Sequence, residues 1–121
     1  MDAPLRISKK DEYVLAVYSG EQTLAELKRL MREVLRACDS QECRRVLVDL
    51  SKSVRRLTLS EKFEFGEIVA GQKRLGFKVA YLTSRTKGGD GFFELVARNR
   101  GVWIRRFLER KDALAWLKQE S

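Results

Sequence analysis

Hydroxyl, carboxylate and cationic side chains are concentrated in the segments that follow the apolar runs of this sequence. Residues 49–57 and 83–91 are two such segments. If the apolar runs are parallel strands, these segments meet at one edge of a sheet, where ligands usually bind. A basic, hydroxyl-rich edge suits a phosphate group or an acidic partner segment, and an ordinary set of polar loops is the alternative. The candidate partner or ligand surface comprises Asp49, Ser51, Arg55, Arg56, Thr83, Ser84, Arg85, Lys87, Asp90, Phe92 and Phe93.

Two aromatic residues, Phe92 and Phe93, directly follow a glycine-rich segment. On a mobile helix their rings would line a cavity for an apolar ligand or enter lipid beside Arg85 and Lys87. The alternative is that both rings cover the sheet, which is the more frequent role of an aromatic pair at a helix start.

The residue types that most enzymes require are scarce in these 121 residues. The chain has no histidine, which excludes imidazole general bases and every zinc site that needs a histidine ligand. The run from Gly88 to Gly91 lacks the spacing of a phosphate-binding loop. Asp49 and Asp90 are a weak signal for a metal site. We therefore expect no catalytic activity, no cofactor and no metal.

Two cysteines, Cys38 and Cys43, lie five residues apart. One close pair makes neither a disulfide framework nor a four-ligand metal site. We interpret them as reduced thiols of a cytoplasmic protein, with a redox switch as the alternative. No apolar run approaches the length of about 20 residues that crosses a bilayer, and the N-terminus does not resemble a secretory signal.

The net charge of +8 is unevenly placed. Residues 72–121 contain 12 Lys/Arg against 5 Asp/Glu, whereas residues 1–71 contain 13 against 12. Such a basic surface favours acidic partners, and a solvated surface is the alternative. A weak nucleic-acid site is a further hypothesis, because basic residues from Arg98 to Lys111 surround Trp103 and Phe107. Both aromatic residues occupy core-like positions, which makes nucleic-acid binding the least favoured of the partner hypotheses.

Apolar patterns of strand and helix type alternate along the chain. Continuous apolar runs at 13–18, 46–48 and 79–82, the last within a segment over 77–82, indicate buried strands, and residues 5–8 and 102–107 indicate two more. Helical spacing follows Thr23 and Thr58, each of which begins a capping-box pattern, and recurs at 92–97 and 112–119. In the helix after Thr58, the apolar stripe consists of Leu59, Phe63, Gly66 and Ala70, with Phe65, Ile68 and Val69 beside it.

The resulting order is β-β-α-β-α-β-α-β-α. This order predicts an α/β fold with a mixed, mostly parallel five-stranded sheet, in which an initial hairpin makes the first strand antiparallel. No linker or internal repeat interrupts the pattern, so we expect one domain over residues 1–121.

Together with this order, the run Val-Leu-Val-Asp-Leu-Ser at 46–51 and the closing run Asp-Ala-Leu-Ala-Trp-Leu at 112–117 carry a family resemblance. The chain resembles the SpoIIAA-like branch of the STAS domains, which includes the anti-sigma factor antagonists. The resemblance spans almost the whole chain. It implies a single STAS-like domain in a bacterial, cytoplasmic regulatory protein.

In the antagonist branch, a serine at the start of the second helix follows an aspartate and is phosphorylated by a partner kinase. The corresponding run here is Leu57-Thr58-Leu59-Ser60, which lacks that aspartate. The resemblance therefore makes Thr58 and Ser60 candidate phosphorylation sites, where a phosphate would pair with Arg55 or Arg56. Simple capping of the helix by both hydroxyls is the alternative.

These observations favour a non-catalytic regulatory protein that acts through protein–protein contact, similar to the anti-sigma factor antagonists. The alternative is a domain that binds an anionic or lipid-like small molecule at the same loop edge.

Overall fold

The fold is described from a computed structural model over residues 4–71, 77–84 and 103–119. In these segments seven strands and three helices are present. In chain order they are β1 (Leu5–Lys9), β2 (Val14–Tyr18), β3 (Glu21–Gln22), α1 (Leu24–Gln41), β4 (Arg45–Asp49), β5 (Val54–Arg55), α2 (Leu59–Gly71), β6 (Lys78–Leu82), β7 (Ile104–Phe107) and α3 (Arg110–Lys118).

Five of the strands form the central sheet in the order β1-β2-β4-β6-β7. Strand β1 is antiparallel to β2, and all other neighbours are parallel. Strand β4 lies at the centre, where Val48 is in register with Ala16 of β2 and Tyr81 of β6. The expected α/β fold with a mixed, mostly parallel five-stranded sheet is therefore confirmed.

Apolar side chains fill both faces of the sheet, which explains the continuous apolar runs of its central strands. On one face, Val46 and Val48 belong to a core cluster with α1 and α2, to which Leu30 and Phe65 contribute. On the other face, Leu47 packs in a second cluster with residues of α3. The alternation along β4 thus assigns α1 and α2 to one side of the sheet and α3 to the other.

Helix α1 begins with half of the capping box that its sequence predicts. The Thr23 hydroxyl accepts a hydrogen bond from the backbone N–H of Glu26 at 3.2 Å. The Thr23 N–H does not donate to the Glu26 carboxylate, because it donates to the Glu21 carbonyl at 3.0 Å. The Tyr18 hydroxyl donates to the same carbonyl at 2.6 Å and lies 3.4 Å from the Glu26 carboxylate.

Two segments that the sequence assigns to loops pair with each other. Strands β3 and β5 are parallel, and the N–H of Val54 donates to the carbonyl of Gly20 at 3.1 Å. The Gln22 side-chain amide donates to the buried Ser53 hydroxyl at 2.6 Å. Two-residue strands carry no periodic apolar pattern, so their pairing is set by the chain on either side.

The apolar stripe expected on α2 is only partly turned towards the core. Phe65 is 6% exposed and Gly66 is buried, as a core-facing side requires. Leu59 and Phe63, however, are 62% and 46% exposed. This part of the prediction was wrong because α2 is apolar on most of its circumference, so spacing alone does not select the buried side.

The other boundaries shift by small amounts. The last strand begins at Ile104, and the closing helix begins at Arg110 rather than at residue 112. The helix predicted at 92–97 lies outside the described residues. None of the helices in the described segments combines the length and apolarity that a bilayer crossing requires.

Candidate functional site

Asp49 lies at the carboxyl end of the central strand β4, at the edge where a ligand site was expected. Its side chain is buried, and its Oδ1 accepts hydrogen bonds from the Ser51 backbone N–H at 3.0 Å and the Ser51 hydroxyl at 2.6 Å. Its Oδ2 accepts a hydrogen bond from the Arg110 guanidinium at 3.1 Å. Both oxygens are therefore occupied by donors that hold the carboxylate in one orientation.

The surroundings of Asp49 keep it ionised. Burial acts to raise the pKa of Asp49, but the hydrogen bonds from Ser51 and Arg110 outweigh burial and leave this pKa below its ordinary value. Asp49 therefore ties α3 to the sheet, a role for which spacing in the sequence offers no signal.

Arg110 is the cation that this edge presents beside Asp49. Its side chain is about half exposed, although one guanidinium nitrogen is held by the carboxylate. The sequence placed Arg110 in the basic stretch that ends at Lys111 and residues 108–110 at the same sheet edge as Asp49, but it predicted no contact between the two side chains. The structure brings these two residues together because β4 and α3 pack directly against one another through the second core cluster.

Thr83 contributes a buried hydroxyl at the end of β6. Its backbone N–H donates to the Phe107 carbonyl at 3.1 Å. Its Oγ1 has no hydrogen-bond partner within the part of the chain that the structure describes. A buried hydroxyl without a partner is unusual, because desolvation is then uncompensated. Ser84, next to it, is half-buried.

Of the other residues of the predicted surface, two lie in the described segments and five lie outside them. Arg56 lies on the exposed side of the β3–β5 pair, with its Nε 3.8 Å from the Glu21 carboxylate. The backbone of Arg55 belongs to β5, and its side chain is not described. Five predicted surface residues lie outside the described segments: Arg85, Lys87, Asp90, Phe92 and Phe93.

The start of α2 carries the two candidate phosphorylation sites. The Thr58 hydroxyl accepts from the Glu61 backbone N–H at 3.1 Å, and the Glu61 carboxylate accepts from the Thr58 N–H at 2.9 Å. Thr58 thus forms a complete capping box. Ser60, two residues further along, is exposed. The exposed pair Leu59 and Phe63 occupies the same end of the helix.

The opposite edge of the sheet contains a buried cation that the sequence analysis missed. Lys78, at the start of β6, is 2% exposed. Its ammonium lies 4.5 Å from the ring centroids of both Trp103 and Trp116 and donates to the carbonyl of Gln119 at 2.7 Å. Burial, with a smaller contribution from Arg45, lowers the pKa of Lys78. The signal available in the sequence for this buried cation was a lysine at the start of an apolar run.

The aromatic residues of the nucleic-acid hypothesis pack within the protein. Trp103 and Phe107 are half-buried, with ring centroids 6.0 Å and 5.7 Å from that of Trp116. The guanidinium of Arg105 lies 5.6 Å from the Phe107 centroid. These rings therefore contribute to the attachment of α3 rather than forming a platform on which bases stack.

Comparisons with known proteins support the architecture. No family model matches the sequence, and no curated protein matches it. Among solved structures, the chain is similar to an uncharacterised protein of the DUF3478 family with a SpoIIAA-like fold, from Shewanella loihica PV-4. The two share 17% identity over 93% of this chain and 91% of that chain, with a TM-score of 0.54. The SpoIIAA-like fold expected from the sequence is confirmed.

Proposed function

We propose that this protein is a non-catalytic regulator that binds another protein through the N-terminal half of α2. The exposure of Leu59 and Phe63 is the observation that carries the proposal. Residues four apart on a helix lie side by side, so these two apolar side chains form one continuous patch. The resemblance to anti-sigma factor antagonists, which act by protein contact, supports the same function.

The surroundings of the patch indicate the chemistry of the partner. Lys52 and Arg56 are exposed in the segment that leads into α2, and the charge of Arg56 is partly offset by Glu21 at 3.8 Å. Glu64, on α2, lies 3.8 Å from Lys28 of α1, which partly offsets its charge. A partner with an apolar centre and a carboxylate-bearing rim complements these features, since protein interfaces pair opposite potentials.

Ser60 is the hydroxyl at this surface that we propose as the regulatory phosphorylation site. It is exposed, whereas the Thr58 hydroxyl already accepts the capping hydrogen bond. A phosphate at Ser60 would place two negative charges beside the patch and repel an acidic partner. Phosphorylation would then release the partner.

The test is native mass spectrometry of the tagged protein, purified gently from its own cells, in three forms. The double variant Leu59→Ala/Phe63→Ala removes the patch. The matched control is Leu108→Ala, which truncates a side chain of similar exposure, 45%, outside α2. We expect a stoichiometric protein partner on the wild type and the control, and binding weakened at least about tenfold in the double variant. Retention of the partner by the double variant would refute the proposal that Leu59 and Phe63 form the binding surface.

Binding of a small anionic molecule at the Asp49 edge is the second candidate function. The buried Thr83 hydroxyl, which lacks a partner among the described residues, favours it. A small molecule in place of a protein in the same mass spectra would support this alternative. Arg110→Ala should then release the molecule, because the guanidinium of Arg110, beside Asp49, can bind an anion in a fixed geometry.

A further inference from the structure

We propose that Cys38 and Cys43 form a reversible disulfide by exchange with an oxidised low-molecular-weight thiol such as oxidised glutathione. Both are thiols in the structure. Cys38 lies in the last turn of α1, and Cys43 lies just beyond its end. The proposal is independent of the function assigned to α2.

The turn that ends α1 brings the two cysteines together. Glu42 adopts the left-handed conformation, with φ 51°, and the N–H of Cys43 donates to the carbonyl of Cys38 at 3.0 Å. This hydrogen bond from the sixth residue to the first defines a Schellman motif, in which the side chains of these two residues commonly touch. Cys43 packs against the apolar cluster to which Cys38 belongs. In the reduced form its thiol donates to the carbonyls of Arg45 at 3.5 Å and Glu12 at 3.8 Å, so bond formation requires the Cys43 side chain to turn towards Cys38.

Backbone geometry limits the separation of the two Cα atoms. The Cα–C and C=O bonds of Cys38, the 3.0 Å hydrogen bond and the N–Cα bond of Cys43 would separate the two Cα atoms by at most about 7 Å if all were collinear. The angles at the carbonyl and at the nitrogen shorten this distance into the range of about 4.4–6.8 Å that a disulfide spans. The backbone therefore already holds the separation that the bond requires.

Exposure sets the order of the two exchange steps. Cys43 is half-buried, whereas Cys38 is 2% exposed. The Cys43 thiolate first attacks one sulfur of oxidised glutathione, whose S–S bond breaks and releases one glutathione thiolate. The Cys38 thiolate then attacks the Cys43 sulfur and displaces the second glutathione. The two cysteines lose two electrons, which reduce one glutathione disulfide to two thiols, and the cysteine protons pass to solvent.

The bond would fasten the end of α1 to the chain that enters β4. Glu42 is a non-glycine residue in the left-handed region, so this turn costs conformational energy. A disulfide across the turn keeps it closed. Backbone amides of the turn should therefore exchange more slowly in the oxidised protein.

Tryptic mass spectrometry tests the proposal on the folded full-length chain after treatment with oxidised glutathione and blocking of remaining thiols. Both cysteines lie within residues 37–44, between the cleavage sites after Arg36 and Arg44, so one peptide reports the bond. We expect this peptide to lose the mass of two hydrogen atoms, and dithiothreitol to reverse the loss. In Cys38→Ala, Cys43 should retain glutathione because ring closure is blocked.

Two outcomes would overturn the proposal. One is a wild-type peptide in which glutathione stays on Cys43 as it does in Cys38→Ala. The other is a covalent dimer through Cys43. The variant Cys43→Ala checks the order of the steps, since its Cys38 should remain unmodified for as long as the chain is folded. Faster amide exchange at residues 38–43 in the oxidised protein would contradict the closed turn.

Discussion

The ammonium of Lys78 donates a hydrogen bond to the backbone carbonyl of Trp116 and lies 4.5 Å from the centroid of the same residue's ring. One side chain of the central sheet thus contacts both the backbone and the indole of α3. The carbonyl belongs to the last turn of that helix, where a cation is favoured by the helix dipole. At the other end of α3, Arg110 contacts Asp49. A polar contact to the sheet therefore anchors the helix at each end.

Lys78→Ala should lower the free energy of unfolding by about 2–4 kcal/mol, the range for truncating a long buried side chain. Lys118→Ala, which truncates an exposed lysine of α3, is the matched control and should change it by less than about 0.5 kcal/mol. Lys78→Met retains the length of the stem and should fall between Lys78→Ala and wild type. Urea unfolding followed by circular dichroism measures all three. Equal effects of Lys78→Ala and Lys118→Ala would show that Lys78 does not anchor α3.

Asp49 predicts a specific loss of stability in acid. Its pKa in the folded protein is below the ordinary value of 3.8. Between these two pKa values the unfolded chain therefore binds more protons than the folded chain. The stability that Asp49 contributes is therefore complete above the ordinary value and is lost as pH falls through the folded pKa. Urea unfolding between about pH 5 and 2 should show a smaller loss for Asp49→Asn than for wild type.

Ser51→Ala provides a graded control for the acid prediction. It removes the hydroxyl bond to Oδ1 and leaves the backbone N–H bond in place. Its pH dependence should therefore lie between that of wild type and that of Asp49→Asn. A profile for Asp49→Asn that parallels wild type would mean that other carboxylates cause the acid transition.

Phe63 and Phe65 offer a matched pair on α2 that tests which side is buried. Phe65→Ala should destabilise the protein by about 3–5 kcal/mol because it empties a core position. Phe63→Ala should cost less than about 1 kcal/mol, since Phe63 is 46% exposed and changes at exposed positions are small. Chemical denaturation measures both. A larger loss for Phe63→Ala would reverse the orientation of α2 and remove the basis of the proposed interface.

Thr58 and Ser60 are distinguished by the capping box. Thr58→Ala should cost about 1 kcal/mol, because the Glu61 N–H loses its acceptor. Ser60→Ala should change stability by less than about 0.5 kcal/mol. Thr58→Asp, which restores an acceptor at this position, should recover most of the loss. If Ser60→Ala were as destabilising as Thr58→Ala, the assignment of the cap to Thr58 would be wrong.

The sequence predicted many residues of the candidate site, but it did not predict which of them contact one another. Asp49, Ser51 and Thr83 were expected at one sheet edge, and they lie there because parallel strands end together. The pairing of Asp49 with Arg110 joins residues 61 positions apart. No local pattern encodes such a contact, because it depends on how α3 crosses the sheet.

The sequence alone determined the order of the five central-sheet strands and of α1, α2 and α3, the first residues of α1 and α2, and the mixed sheet. These features depend on local periodicity and on capping groups within a few residues of one another, which are legible along the chain. Tertiary structure decided that Lys78 is buried, that Leu59 and Phe63 are exposed and that β3 pairs with β5. These outcomes depend on which surfaces distant segments cover, and the free energy of that packing outweighs the preference of any single residue.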